Sequence, residues 1–183
     1  MSQEQSPPDA QPQGPLAHRT MGRSQLLAHL DGLGIKTHTV DHPAVRTVAE
    51  SSTIELDLPG AHTKNLFLRD ENGALLLIVA KSSTKVDLKR VARRAGMGRL
   101  SFGKPELMMA VLGVTPGSVT AFSVLNDTAK RVRVVIDNEL MAHDSVNCHP
   151  MENTATTNIA MADLLRFIRA TGHDPDIMIV TGS

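Results

Sequence analysis

The chain has 183 residues, of which 41% are hydrophobic, and its 19 basic residues balance its 19 acidic ones. That length suits one compact domain with a sizeable core, and zero formal net charge gives no overall sign of a nucleic-acid partner. Without Trp or Tyr and with four Phe, the chain has few aromatic side chains on which bases could stack. Its single cysteine, Cys148, excludes an intrachain disulfide and a multi-cysteine metal site.

The N-terminal segment differs in composition from the rest of the chain. Residues 1–19 are mostly Gln, Pro, Ser and Gly, with few apolar side chains to offset the entropy of ordering. We therefore predict a disordered leader over 1–19 and a folded domain over 20–181. No apolar run approaches the ~18 residues of a membrane helix, and the N-terminus lacks the apolar core of a signal peptide. We expect a cytoplasmic protein with no membrane partner.

The first helix and strand are predicted from the spacing of apolar residues. Gly34 suits the position after a helix, and four leucines recur at helical spacing before it: Leu26, Leu27, Leu30 and Leu33. Residues 36–40 are predicted as a strand. A capping-box pattern, Thr47-Val48-Ala49-Glu50, then predicts the start of a short helix after Pro43.

A β-hairpin is predicted over residues 66–80. Two apolar runs flank Asn72-Gly73, a dipeptide that favours the tight turn between antiparallel strands. Lys64 and Asn65 are then expected where a loop enters the first strand. An amine and an amide at that point can form part of a binding site.

Two helices and two strands are predicted next. Asp87 suits the N-cap of a helix that Gly96 ends, and Pro105 suits the first position of the following helix. Strands are predicted over 119–125 and 132–137, on either side of a short turn.

The last third of the chain completes the predicted fold. A strand pair is expected on either side of the loop at 149–153, then a helix over 161–171 and a short strand over 177–180. The strands cluster without regular alternation with helices. We therefore predict an α+β fold, in which one domain has a mixed, mostly antiparallel sheet and flanking helices.

Several motifs resemble a known family. The run His62-Thr63-Lys64-Asn65-Leu66-Phe67-Leu68-Arg69-Asp70 resembles the YbaK and prolyl-tRNA-synthetase-associated editing family, and within it the free-standing alanyl-tRNA(Pro) deacylase branch. Other segments fall in the family's order between about residues 22 and 181: 42–45, 100–102, 112–118, 124–127, 149–156 and 166–173. No segment is specific alone, and their joint order and spacing carry the resemblance.

The resemblance implies roles for a small set of residues. Lys64 would hold the terminal phosphate or ribose hydroxyls of an aminoacylated adenosine, Asn65 would bond the substrate carbonyl, and His149 would contact the substrate amine or ribose. Backbone groups near Gly113 and Pro116 would orient water. The remaining substrate-binding positions are Thr63, Thr115, Gly117, Ser118, Asn153 and Thr154.

Each of these residues also has an ordinary structural interpretation. Lys64 can be a solvated surface charge, Asn65 can close a turn, and His149 can cap a loop beside Pro150. His42, also followed by proline, is interpreted as structural. Cys148 stands where this branch has a bulky aromatic residue, which leaves the packing behind His149 open.

Two basic clusters are candidates for contacts with tRNA phosphates, although such clusters are also common on solvated faces. They are Lys89, Arg90, Arg93 and Arg94, and Lys130, Arg131 and Arg133. No His-Glu-x-x-His pair is present and the acidic residues are scattered, so we expect no metal and no cofactor.

The function that the resemblance implies is hydrolysis of mischarged Ala-tRNA(Pro) in trans, with the 2′-hydroxyl of the substrate assisting and proline excluded by size. Two alternatives stay open: a Cys-tRNA(Pro) deacylase of the same fold, and a non-catalytic module that binds aminoacyl-tRNA or a synthetase. The expected partner is the acceptor end of tRNA(Pro), with transient contact to prolyl-tRNA synthetase or an elongation factor. A monomer is expected.

Overall fold

A computed structural model of the protein describes residues 20–44 and 58–182. Within these ranges the helices are α1 Arg23–Gly32, α2 Leu88–Ala95, α3 Pro105–Leu112 and α4 Met161–Ala170. The strands are β1 Thr37–Asp41, β2 Ala61–Asp70, β3 Leu75–Lys81, β4 Leu100–Phe102, β5 Val132–Asp137, β6 Ser145–Cys148, β7 Ala155–Ala160 and β8 Asp176–Met178. The predicted leader at 1–19 and the predicted helix start at 47–50 lie outside the described residues.

One mixed sheet holds the strands in the order β1-β7-β6-β2-β3-β5-β8, with β4 paired to the β2 edge. The pairs β1–β7, β6–β7, β2–β3 and β2–β4 are antiparallel, whereas β2–β6, β3–β5 and β5–β8 are parallel. The predicted α+β fold with a mixed sheet and flanking helices is confirmed.

The predicted hairpin is present, and Asp70 fixes its turn. The Asp70 carboxylate accepts hydrogen bonds from the backbone N–H groups of Asn72 at 2.9 Å, Ala74 at 2.8 Å and Gly98 at 3.0 Å. These bonds, with that from Gly98 contributing most, lower the pKa of Asp70. The last residue of the family-like run at 62–70 is therefore a structural clamp.

The sheet separates two apolar layers. The larger core cluster includes Phe67, Leu77 and Val79 and receives side chains from α1, α3 and α4. The smaller core cluster includes Leu68 and Ile78 and is covered by α2 and Val180. Because β3 is buried on both faces, it forms the centre of the fold.

The predicted start and end of α2 and the predicted start of α3 are confirmed. Asp87 accepts a hydrogen bond from Arg90 N at 3.0 Å as the N-cap of α2, and Gly96 ends that helix with a positive φ of 65°. Pro105 begins α3, and Gly113 ends it with a φ of 67°. The strand predicted at 177–180 is shorter and starts earlier, as Asp176–Met178.

The predicted strand over 119–125 is wrong. Ala121–Asn126 forms a 3-10 helix, for which Thr120 Oγ1 accepts a hydrogen bond from Phe122 N at 3.4 Å. Ser123 Oγ donates to the Thr120 carbonyl at 2.5 Å. Such local bonds from Ser and Thr compete with strand pairing. Residues 120–124 are all buried, and Ala121, Phe122 and Val124 pack in the larger core cluster.

Candidate active site

Lys64 and Asn65 lie inside β2, not at its mouth as predicted. The strand begins at Ala61, so both residues have the extended backbone in which successive side chains point to opposite faces. Phe67 belongs to the larger core cluster and Leu68 to the smaller one. It follows that Asn65 faces the larger cluster and Lys64 faces the smaller one. The two side chains can approach one ligand only at the edge of the strand.

The edge of β2 is open at this point. Ser82 N donates to the His62 carbonyl at 2.8 Å and Gly103 N to the Phe67 carbonyl at 2.9 Å, so peptide groups of odd-numbered residues face away from β3. On that outer edge β6 pairs with Ala61 and His62, and β4 pairs from Leu68 onward. Among the described residues no strand pairs with the outer edge at 64–66. Among the described residues the peptide group of Asn65 therefore pairs with no strand on this side, and it is a candidate for contact with a ligand.

The Asn65 side chain carries an unusual acceptor. Its Oδ1 is buried and has no hydrogen-bond partner among the described residues. A buried acceptor without a donor costs about 1–3 kcal/mol, so native proteins leave such groups unpaired only rarely. The position of this oxygen beside the open edge of β2 marks it as a candidate ligand contact.

Thr63, two residues before Asn65 on the same face, connects β2 to the loop that carries His149. Its Oγ1 donates to the Asn147 carbonyl at 2.7 Å and lies 3.5 Å from Cys148 Sγ. Burial raises the pKa of Cys148 to about 11, so the thiol is inert at neutral pH. The sequence left the packing at this position open, and Cys148 fills it as part of the larger core cluster.

His149 is held in one tautomer. Its Nδ1 lies 3.0 Å from the Ala155 carbonyl, which can only accept, so Nδ1 carries the proton and Nε2 carries a lone pair. Burial lowers the pKa of His149, and the neighbouring His42 lowers it further. Nε2 has no hydrogen-bond partner among the described residues. The imidazole is thus neutral near pH 7 and presents an acceptor.

The neighbouring His42 has both ring nitrogens hydrogen-bonded. Its ring centroid lies 6.3 Å from that of His149, while its Nδ1 donates to the Pro43 carbonyl at 2.8 Å. Its Nε2 therefore accepts from Thr156 Oγ1, also at 2.8 Å. Both ring nitrogens are used, in keeping with the structural role expected for His42. His38 has helical metal-pair spacing to His42, but four residues of extended strand separate them by about 13 Å.

The His149 loop, residues 149–154, contains backbone strain. Met151 has a φ of 68°, a left-handed conformation that costs a non-glycine residue about 1 kcal/mol or more. Its side chain is buried in the larger core cluster, which holds the loop in this shape. Thr154 is exposed and bonds to Glu152 Oε1 at 3.1 Å. Strain that packing maintains beside a histidine with a free nitrogen is typical of a functional loop.

The Pro116 loop, residues 113–118, lies next to the His149 loop. Ser118 N donates to the Thr115 carbonyl at 3.0 Å, with Pro116 and Gly117 at the centre of the turn and a Gly117 φ of 89°. These features define a type II turn. A Cβ on Gly117 would lie 3.6 Å from Asn153 Nδ2, so this loop meets the His149 loop. The exposed residues of the turn are Thr115, Pro116 and Gly117, whereas Ser118 is buried.

Gly113 has a structural reason for being glycine. Besides its positive φ, a Cβ there would lie 2.4 Å from Thr20 Cγ2 and 2.8 Å from Asn126 Nδ2. Gly113 ends α3 and leaves room for Thr20 and Asn126. These features support a role in positioning the Pro116 loop, and a direct catalytic role stays a prediction. Thr20 and Asn126 were missed by the sequence analysis as site neighbours. Only the family-like segment at 124–127 could have drawn attention to Asn126.

The basic residues of the two predicted tRNA-binding clusters differ in their contacts and in their exposure. Arg133 is engaged: its Nε bonds Asp176 at 2.8 Å and its Nη1 bonds the Ala95 carbonyl. Arg90 is half-buried. The exposed members are Lys89, Arg93, Arg94, Lys130, Arg131 and Arg133. Because α2 covers the smaller core cluster, its exposed basic residues lie on the face of the sheet toward which Lys64 points.

Over the part of the chain that the structure describes, no group of three or more His, Cys, Asp or Glu side chains could hold a metal ion. None of the helices in that part is long and apolar enough to cross a membrane.

Comparison with known proteins agrees with this geometry. The family model of the aminoacyl-tRNA editing domain matches residues 42–167. The chain is 37% identical over 158 residues to prolyl-tRNA synthetase associated domain-containing protein 1 of Danio rerio, covering 85% of this chain and 86% of that protein. It is 35% identical over 152 residues to the prolyl-tRNA editing protein ProX of Acetoanaerobium sticklandii, covering 82% and 93% of the two chains.

A solved structure shares the fold. A crystal structure described as that of a candidate trans-editing enzyme for prolyl-tRNA synthetase superposes with a TM-score of 0.69 at 22% identity, over 88% of this chain and 96% of that one. The resemblance found in the sequence is therefore confirmed, and the chain belongs to the aminoacyl-tRNA editing domain family.

Proposed function

We propose that the protein hydrolyses the ester of mischarged Ala-tRNA(Pro) in trans. The observation that carries the proposal is a pair of acceptors, the buried Asn65 Oδ1 without a partner among the described residues and the lone pair on Nε2 of the neutral His149 imidazole. Thr63 connects them, because it shares a face with Asn65 and touches Cys148, the residue before His149. Membership of the editing family and the name of the ProX relative support aminoacyl-tRNA(Pro) as the substrate class.

The aminoacyl ester offers donors that match these two acceptors. Its α-ammonium group has three N–H donors, one of which would satisfy Asn65 Oδ1. This refines the expected role of Asn65, since the unpartnered atom is an acceptor and not a donor to the carbonyl. The 2′-hydroxyl of the terminal adenosine would donate to His149 Nε2. Both contacts would fix the ester at the open edge of β2.

Hydrolysis then requires a water, a proton acceptor and stabilisation of the oxyanion. Water adds to the ester carbonyl, the bond from that carbon to the 3′-oxygen breaks, and the 3′-oxygen leaves with a proton. The 2′-hydroxyl can relay the proton because it neighbours the leaving oxygen and is polarised by His149 Nε2. The peptide N–H of Asn65 faces the outer edge of β2 and is a candidate donor to the oxyanion.

Selectivity for alanine would follow from size. A synthetase site that accepts proline discriminates against a smaller amino acid by only about 1–3 kcal/mol, so a second site is needed. Here the Pro116 loop and the His149 loop approach each other at Gly117 and Asn153. A narrow opening of this kind would admit a methyl group and exclude the proline ring.

Lys64 would hold the nucleotide from the other face of the sheet. It is half-buried, and its Nζ contacts no carboxylate among the described residues, so its charge is available for a phosphate. The exposed Lys89, Arg93 and Arg94 lie on the same face and would contact phosphates of the acceptor stem. Transient association with prolyl-tRNA synthetase is part of this proposal and is supported by the name of the Danio rerio relative.

A non-catalytic function is the second candidate, because that relative's name states association with a synthetase and no activity. One assay separates the alternatives: deacylation of Ala-, Cys- and Pro-charged tRNA(Pro) by the wild-type protein. We expect Ala-tRNA(Pro) to be hydrolysed much faster than Pro-tRNA(Pro), and more slowly when the 2′-hydroxyl is replaced by hydrogen. Preference for the cysteinyl ester would identify the sister activity. Binding without turnover of any ester would identify a binding module.

A further inference from the structure

The short segment before and into α1, residues 20–23, contacts both loops of the candidate site. Arg23 Nη1 lies 2.9 Å from Glu152 Oε1 in the His149 loop and 2.5 Å from Asp41 Oδ1 at the end of β1. Glu152 also accepts the hydrogen bond from Thr154. One guanidinium group thus joins α1, β1 and the loop that carries His149.

The same segment reaches the Pro116 loop through Asn126. Met21 N donates to Asn126 Oδ1 at 2.8 Å, and Asn126 Nδ2 donates to the Met21 carbonyl at 3.1 Å. Asn126 Nδ2 also lies 3.0 Å from the Leu112 carbonyl, at the last residue of α3. Thr20 completes the contact, since it lies against Gly113 closely enough to exclude a Cβ. The amide side chain therefore ties residues 20–23 to the start of the Pro116 loop.

The ion pairs of Arg23 are too exposed to contribute much to the free energy of unfolding. The side chain of Arg23 is 28% exposed, and those of Asp41 and Glu152 are 74% and 41% exposed. Ion pairs in such surroundings contribute little to folding, commonly well under about 1 kcal/mol. They do fix positions, because Arg23 holds Glu152 of the His149 loop to α1 and β1, while Asn126 holds residues 20–23 to the start of the Pro116 loop.

We infer that residues 20–23 act as a brace for the candidate site, with Arg23 and Asn126 as positioning residues. Arg23 acts through Glu152 on the His149 loop, and Asn126 acts through Gly113 on the Pro116 loop. Neither side chain needs to touch substrate. The inference rests on the proposed function, because it treats the meeting of the two loops as the place where the ester is held.

The other end of α1 supplies a matched control. Arg166 Nη2 donates to the Leu33 carbonyl at 2.6 Å, immediately after α1, and this arginine contacts neither candidate loop. Arg23→Gln and Arg166→Gln therefore remove side chains of the same type whose contacts lie at opposite ends of α1, since Arg23 is the first residue of α1 and Arg166 reaches Leu33 from α4. Only the first is expected to disturb the site.

The experiment measures steady-state deacylation of Ala-tRNA(Pro) and amide hydrogen exchange of the full chain. For Arg23→Gln we expect kcat to fall about tenfold, since displacement of a reacting group by 1 Å can cost a factor near 10². Exchange over 149–155 should become faster, and the melting temperature should stay close to that of the wild type. Arg23→Lys should restore most of kcat. Arg166→Gln should match the wild type in kcat and in exchange over 149–155.

A double-mutant cycle adds a second criterion. Arg23→Gln and Glu152→Ala break the same contact, so their combined loss in kcat should be close to either single loss. Asn126→Ala should instead speed exchange over 113–118. Unchanged kcat and exchange in Arg23→Gln, or an equal loss in Arg166→Gln, would overturn the brace. If the wild type hydrolyses no charged tRNA(Pro), the proposed function fails, and the exchange measurements alone decide on the brace.

Discussion

Two histidines, His149 and His173, lie in family-like segments of the sequence, and the structure treats them in opposite ways. His173 Nε2 lies 2.8 Å from Asp127 Oδ2, and its Nδ1 bonds Thr171 Oγ1 at 2.8 Å. Asp127 also accepts from the backbone of Arg131 and Val132. Every polar group of this closed cluster is used within the protein. In the open cluster around His149, by contrast, His149 Nε2 and the Asn65 Oδ1 of β2 remain without partners among the described residues.

The difference separates structural from functional polarity. A buried pair such as Asp127 and His173 has side chains only 2% and 3% exposed, and it ties the 126–131 turn to the end of α4. Removing one partner leaves an uncompensated group in the core. An unpaired acceptor beside a strand edge has the opposite meaning, since a donor from outside the protein, on a ligand or a water molecule, can satisfy it. Variants in the two clusters should therefore affect different measurements.

The largest effect is expected at Lys64, on the other side of the open strand edge. Lys64→Ala should abolish deacylation, because no other described cation is placed to replace its charge at the open edge of β2. The fold should be unchanged, since Lys64 makes no ion pair among the described residues. Turnover at the wild-type rate, with an unaltered melting temperature, would remove Lys64 from the site. Arg69→Ala, an exposed basic residue further along β2, is the matched control.

His149→Ala tests the open cluster directly. Loss of a group that polarises the reacting hydroxyl typically costs about 10²-fold or more in rate. We expect kcat for Ala-tRNA(Pro) to fall by that factor, while the melting temperature changes little. His42→Gln serves as comparison, because it alters the neighbouring ring and leaves His149 Nδ1 bonded to Ala155. A His149→Ala protein that is unstable but fully active when folded would mean that His149 belongs with the structural histidines.

The closed cluster should show the reverse result. Asp127→Ala leaves His173 without its partner and two backbone N–H groups without their acceptor, which should destabilise the fold by about 3 kcal/mol. Denaturant unfolding measures this loss. At a temperature where the variant remains folded, kcat should be near that of the wild type. A large loss of kcat without loss of stability would contradict the division between the two clusters.

The two clusters should also differ in their response to pH. Burial raises the pKa of Asp127, but hydrogen bonds from His173, Val132 N and Arg131 N more than offset this, so the net shift is below the ordinary 3.8. The stabilisation is thus complete above pH 3.8 and is lost as the pH falls through the lowered pKa. His149, whose pKa lies below the usual 6.5, should lose its acceptor only as the pH falls below that value.

The lowered pKa values of His149 and Asp127 predict the order in which activity and structure are lost on acidification. Deacylation should decline first, as His149 becomes protonated, while the protein stays folded. Unfolding should follow only at much lower pH, when Asp127 is protonated. A rate profile of kcat beside circular dichroism over the same pH range checks the order. Simultaneous loss of rate and structure would indicate that one group controls both.

The comparison also explains what the sequence could predict. The helix end at Gly96, the helix start at Pro105 and the hairpin turn at Asn72-Gly73 depend on residues close in the chain, and these predictions are confirmed. The contact from Arg23 to Glu152 spans 129 residues, and no local pattern announces it. The opposite faces of Lys64 and Asn65 depend on β2 beginning at Ala61, before the apolar run that signalled the strand.

The smallest effect is expected at the N-terminus. Deletion of residues 1–19 should change neither the melting temperature nor kcat, because the composition of that segment offers little apolar surface for docking. Deletion of residues 1–23 should lower kcat, since it also removes Thr20 from Gly113, Met21 from Asn126 and Arg23 from Glu152. The pair of truncations thus places the boundary of the active unit within four residues. Equal losses in both would mean that residues 1–19 pack on the domain or on tRNA, and no loss in either would contradict the brace.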